Sequence, residues 1–149
     1  MTALLIRHGE WVVVCDGAKA LVLENAGDIK TPNLKTVQVL EQKDLATHLI
    51  GTDAPGRTFS SVGNARSAVE QTDWHDQAER AFLVQLAEHL EEALSSGRTK
   101  SLIIVASPRA LGMIRPAYSR AVKAAVRVEV DKDLVKMPVH EIEKRLTGA

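Results

Sequence analysis

The sequence predicts an α/β domain: a mixed β-sheet opened by an antiparallel hairpin, with helices packed on the sheet. Three observations predict it. Two β-rich runs flank Asp16-Gly17, a continuous apolar run "SLIIVAS" stands in the second half, and a stretch with apolar residues every four positions lies between them. A chain of 149 residues, 45% of them apolar, can bury one core. Its aromatic residues are Trp11, Phe59, Trp74, Phe82 and Tyr118, so that core must be built mainly from Val, Leu, Ile and Ala, as suits a sheet covered by helices. We read residues 1–149 as one domain with a long loop at 51–72.

The elements follow in order. Trp11 to Cys15 and Ala18 to Glu24 form the hairpin, and Asp16-Gly17 suits a two-residue type I′ turn, in which both positions need positive φ. Gly27 and Pro32 break regular structure, after which "LKTVQVLEQ" alternates as a third strand. From Asp73 to Leu94 the pattern is helical, with Phe82, Leu86, Leu90 and Leu94 on one face, Asp73 as N-cap and Gly97 as the stop. Ser101 to Ser107 reads as a strand buried on both faces. Ser107 caps and Pro108 opens a short helix, because a missing N–H costs nothing at the first helical position. Pro116 divides it from a second helix, Tyr118 to Ala125. "VRVEV" is another strand and "PVHEIEKRL" a final helix started by Pro138.

Composition bounds the function. The single cysteine, Cys15, excludes an internal disulfide or a cysteine-based zinc cluster, and its apolar run makes it a buried structural thiol. No apolar stretch is long enough for a membrane span and no leader pattern opens the chain, so the expectation is a soluble cytoplasmic protein without a membrane partner. Net charge is zero, yet residues 1–97 carry 8 Lys+Arg against 14 Asp+Glu while residues 98–149 carry 11 against 5. Either the halves complement each other, or the C-terminal half presents a basic face to a polyanion.

Three stretches carry candidate chemistry. In "GTDAPGRTFSSVGNARSA", Arg57, Ser60 and Arg66 stand among glycines, a set able to hold phosphate through guanidinium groups and backbone N–H groups. The alternative is an ordered structural loop with Arg57 paired to Asp53. In "TDWHDQAE", His75 and Glu79 lie four apart with Asp73 at the expected helix start. That spacing serves a general acid–base pair or a partial metal site, or simply a solvated cap, and no metal or cofactor motif is complete. In "ASPRALGMIR", Arg109 and Arg115 follow a buried strand, where open α/β sheets bind ligands, and Arg109 is the better candidate for an anion contact. His8, His48, His89 and His140 form no ligand spacing and are expected at the surface.

Four blocks, "WVVVCDGAKALVLEN", "GTDAPGRTFSSVGNARSAVEQTDWHDQAERAFLVQLAEHL", "LIIVASPRALGMIRP" and "VEVDKDLVKMPVHEIEKRL", resemble in order and spacing the bacterial host attachment protein family. Its members are described as required for attachment to host cells, and the resemblance runs from Trp11 to Leu146. That family is similar, more remotely, to the middle domain of archaeo-eukaryotic class-1 translation release factors, whose Gly-Gly-Gln loop enters the peptidyl transferase centre. Here Gly63-Asn64-Ala65-Arg66 occupies the loop and no Gly-Gly-Gln occurs, so peptidyl-tRNA hydrolysis is not implied. The resemblance implies an RNA- or ribosome-associated binding module with ribosome or tRNA as partner. Two alternatives stay open: a small hydrolase using Asp73, His75 and Glu79, and a regulatory factor that binds a protein and affects attachment indirectly.

Overall fold

The computed structural model describes residues 4–42 and 68–148, the first six of the second stretch as helix backbone. Strands β1 (Trp11–Cys15), β2 (Lys19–Asn25) and β3 (Leu34–Glu41) are followed by helix α1 (Ala68–Ser95), then β4 (Leu102–Ala106), α2 (Pro108–Ile114), a 3-10 turn (Arg115–Ala117), α3 (Arg120–Ala125), β5 (Val126–Asp131) and α4 (Val139–Thr147). The five strands form one sheet in the order β3-β2-β1-β4-β5. β1 pairs antiparallel with β2 and parallel with β4, β2 pairs antiparallel with β3, and β4 pairs parallel with β5. The predicted mixed α/β sheet with packed helices is therefore the fold observed.

β1 and β4 are wholly buried because they are central and covered on both faces, as a continuous apolar run requires. Alternation along β1 sorts its side chains. Trp11, Val13 and Cys15 meet Phe82, Leu83, Leu86 and Leu90 of α1, while Val12 and Val14 meet Ile142 and Leu146 of α4. Helices α1 to α3 thus cover one face and α4 the other. Burial pushes the Cys15 thiol up to about 12, so it is a structural thiol, as expected.

Two local expectations are corrected. The helix begins at Ala68, so Asp73 is an interior helical residue and not the N-cap, and residues 68–72 are helix, not loop. Ala68, Glu70 and Gln71 are strong helix formers that carry the helix past the capping preference of Asp73. The β1–β2 hairpin exists, but among the described residues positive φ occurs only at Gly9, Gly97 and Gly148. The turn is instead closed by Asp16, whose Oδ1 accepts from the N–H groups of Ala18 and Lys19 at 2.8 Å each. The α1 stop is as predicted. Gly97 takes φ +81, its N–H donates to Leu94 at 3.2 Å, and Arg98 N–H reaches Ala93 at 3.0 Å, closing a Schellman motif.

His89 departs from its expected surface position. Its Nε2 is buried with no hydrogen-bond partner among the described residues, and burial, then the Arg98 charge, push its pKa below the ordinary 6.5. The unfolded chain therefore binds a proton more readily than the folded one, and stability falls as pH drops below that ordinary value toward the folded one. His89→Gln should lose less melting temperature than the parent between about pH 7 and pH 5.5. Parallel curves for the two proteins would contradict this.

Candidate functional site

Two of the concave places among the described residues carry polar chemistry. The first lies at the carboxyl ends of β1 and β4, from which the chain leaves in opposite directions, to β2 on one side and toward β5 on the other. Such divergence opens a crevice in an α/β sheet. Here it measures about 170 Å³ and is lined by Asp16, Gly17, Glu79, Ser107 and Arg109 among others. Ser107 is positioned as predicted, its Oγ accepting from Ala110 N–H at 3.3 Å to cap α2.

Arg109 crosses this crevice. Its Nη2 donates to Asp76 Oδ1 and to Glu79 Oε1, both at 2.5 Å, and the hydrogen bonds of Glu79 and then Asp76 raise its pKa further. The guanidinium predicted as an anion contact is thus held by two carboxylates of α1. Of the predicted Asp73/His75/Glu79 set, Glu79 lines the crevice, while His75 is exposed and has no hydrogen bond or ion pair among the described residues. Asp73 lies in α1 with its side chain outside the described residues. Among the described residues no group of three or more His, Cys, Asp and Glu suited to a metal occurs. The participant missed was Asp76, three positions before Glu79 on α1.

Gly17 explains why α1 comes so close. A Cβ there would stand 2.6 Å from Glu79 Cγ and 2.8 Å from its Cβ, the base of a helical side chain rather than its free end. Gly17→Ala should therefore push α1 outward, lower stability by about 1–3 kcal/mol and loosen the Arg109 bridge. Urea denaturation checks this; a change below about 0.5 kcal/mol, the usual range for surface substitutions, would contradict it.

The second place is a groove of about 780 Å³ beside the edge strand β5, lined by Arg115, Tyr118, Lys123, Arg127 and Glu129 with apolar neighbours. Pro116 ends α2 and Ser119 Oγ caps α3 through Val122 N–H at 3.2 Å, which places Arg115 and Tyr118 on one wall. Arg115 donates to Glu129 Oε1 from Nε at 2.9 Å and from Nη2 at 2.6 Å, and Tyr118 Oη donates to Glu129 Oε2 at 2.8 Å. Arg115, above all, holds the Glu129 carboxyl below the usual carboxylate range. Burial, then Glu129, pushes the Tyr118 hydroxyl up.

Arg127 sits where the β4–β5 register slips, because Leu102 pairs with Val126 but Ile103 with Val128. This irregularity turns it toward Glu10, which it meets through Nε at 2.7 Å and Nη2 at 2.7 Å. Glu10 is 2% exposed, and Ser101 Oγ and Arg7 N–H donate to it as well. Lys123 and Arg120 are exposed and have no ion-pair partner among the described residues.

Arg57, Ser60 and Arg66 lie outside the described residues. Sequence reasoning named Arg115 but missed Tyr118, Lys123, Arg127 and Glu129. The signal that could have found them was the basic excess after residue 97, combined with a strand carrying charges at Arg127 and Glu129. Among the described residues no helix is long and apolar enough to cross a membrane.

A family model described as "Protein required for attachment to host cells" matches residues 11–146, a span from β1 into α4 that holds both the crevice and the groove. The chain is also similar to Uncharacterized protein RP470 of Rickettsia prowazekii (strain Madrid E), with 33% identity over 146 residues, covering 96% of this chain and 93% of that one.

Proposed function

This chain belongs to the family of proteins described as required for attachment to host cells, and on that footing we propose that it is an RNA-associated binding module that holds a ribose-phosphate backbone in the β5 groove. One observation carries the reading: the groove is lined by Arg115, Lys123 and Arg127, of which the two guanidinium groups are held by Glu129 and Glu10 while Lys123 has no ion-pair partner among the described residues. Guanidinium groups match phosphate oxygens in pairs, and a lysine adds a mobile point charge. Arg120, exposed at the start of α3, extends the basic surface. The sheet edge supplies the wall and carboxylates already hold Arg115 and Arg127, so of these cations only Lys123 and Arg120 have to be ordered on binding.

The remote resemblance to the release-factor middle domain supports the same reading, with ribosome or tRNA as the natural source of the RNA. Attachment to host cells then depends on the protein through synthesis of other components. No hydrolytic step is part of this reading, since Gly-Gly-Gln is lacking.

Reversing the two exposed charges tests it. The Arg120→Glu/Lys123→Glu variant should bind single-stranded RNA on the order of tenfold to a hundredfold more weakly at low salt, and its affinity should depend less on salt. Unchanged affinity, measured by fluorescence anisotropy on variant protein with a native melting profile, would reject the groove as the RNA site.

A further inference from the structure

Glu129 is an odd occupant for a groove that gathers cations. Its carboxylate receives three hydrogen bonds from two side chains, Arg115 Nε and Nη2 on Oε1 and Tyr118 Oη on Oε2. Two N–H groups of one guanidinium beside a hydroxyl make a donor set that suits any oxyanion, phosphate included. The arrangement is also open to exchange: the Arg115 side chain is 54% exposed and that of Glu129 is 22% exposed.

We propose that Arg115 and Tyr118 form a phosphate subsite in the β5 groove that Glu129 fills in cis, so that an anionic ligand binds there by displacing the Glu129 carboxylate. The link to RNA rests on the reading given under Proposed function; the subsite itself rests on the donor geometry. Displacement sets a preference. A phosphodiester carries one negative charge, as the carboxylate does, so the exchange gains little electrostatically. A phosphate monoester carries close to two at neutral pH, and it replaces Glu129 with a net gain. The subsite therefore favours a terminal phosphate over an internal one.

The test titrates inorganic phosphate at about pH 7.5 into the parent protein, Glu129→Gln and Glu129→Gln/Tyr118→Phe, following the Arg115 side-chain Nε–H resonance by NMR. The parent should show that resonance move at millimolar phosphate. Glu129→Gln should bind on the order of tenfold more tightly, and the added Tyr118→Phe should remove most of the gain. An Arg115 resonance unmoved by phosphate in the parent overturns the proposal even if the variants fail to fold. So does a folded Glu129→Gln with no gain, or a gain indifferent to Tyr118→Phe. Single-stranded RNA with a 5′-hydroxyl is titrated in parallel. If RNA fails to bind while the phosphate gain holds, the RNA reading falls and the subsite stands; if RNA binds without the phosphate gain, the subsite falls and the RNA reading stands.

Discussion

Arg127→Ala is expected to lower the unfolding free energy by about 3 kcal/mol at pH 7. Glu10, whose side chain is 1% exposed, has its charge met by both arms of Arg127, by Ser101 Oγ and by Arg7 N–H. Removing the guanidinium leaves a buried carboxylate with only neutral donors, and breaking a buried pair typically costs about 3–5 kcal/mol. The lower end applies because the Arg127 side chain is itself 26% exposed. Arg127 Nη2 also holds the Leu5 carbonyl at 2.6 Å, so the segment before β1 loses its tie to β5 at the same time.

This loss has a definite pH signature. Burial pushes Glu10 up, but its hydrogen bonds to Arg127, Ser101 and Arg7 outweigh that and hold it below the ordinary 4.5. In the parent, the stabilisation it contributes is present above that ordinary value and is lost as pH falls through the lower folded value. In Arg127→Ala burial wins and the folded value rises, so protonation relieves a penalty instead. The gap between the two proteins should therefore narrow as the pH falls from 7 to about 4. A gap of constant size across that range in urea denaturation would contradict the account.

Asn25→Asp should be comparably harmful, costing about 3 kcal/mol at pH 7. Asn25 is 0% exposed and uses its whole amide. Nδ2 donates to the carbonyls of Ile6 at 2.9 Å and Asp28 at 3.3 Å, while Oδ1 accepts from Gly27 N–H at 2.9 Å and Asn33 N–H at 2.8 Å. The change alters almost no volume, yet it sets an acceptor against two carbonyl oxygens in a buried place. A carboxylate there is pushed up by burial, so the variant should recover part of its stability as the pH falls toward 4 and the acid becomes able to donate once. Asn25→Ala, which cannot make that recovery, is the control. Equal losses for the two variants at every pH would reject this role for the amide.

Elements whose signals are local were legible in the sequence. The runs of β1 and β4, the four-residue spacing of Phe82, Leu86 and Leu90, the Ser107-Pro108 start of α2 and the Gly97 stop all depend on neighbours in the chain. What depends on distant contacts was not. Asp16-Gly17 suggests a type I′ turn, but the glycine is needed because Glu79 of α1 stands against it. Glu10 looks like any surface carboxylate until β5 brings Arg127 to it across the register slip. In the candidate site, Arg109 and Glu79 were legible as polar groups at a strand end and on a helix, but not as partners. Periodicity sets a helix face and leaves open which strand end meets it.

The central claim is that the basic groove beside β5 binds the RNA backbone, and a salt series tests it most directly. Purified protein is titrated into a labelled single-stranded RNA at several monovalent salt concentrations between about 25 and 300 mM, and log affinity is plotted against log salt. With Lys123 and Arg120 meeting phosphates, the slope should be about −1.4 or steeper, since each single-strand contact contributes about −0.7. No binding at the lowest salt, or an affinity that does not change across the series, would contradict the account.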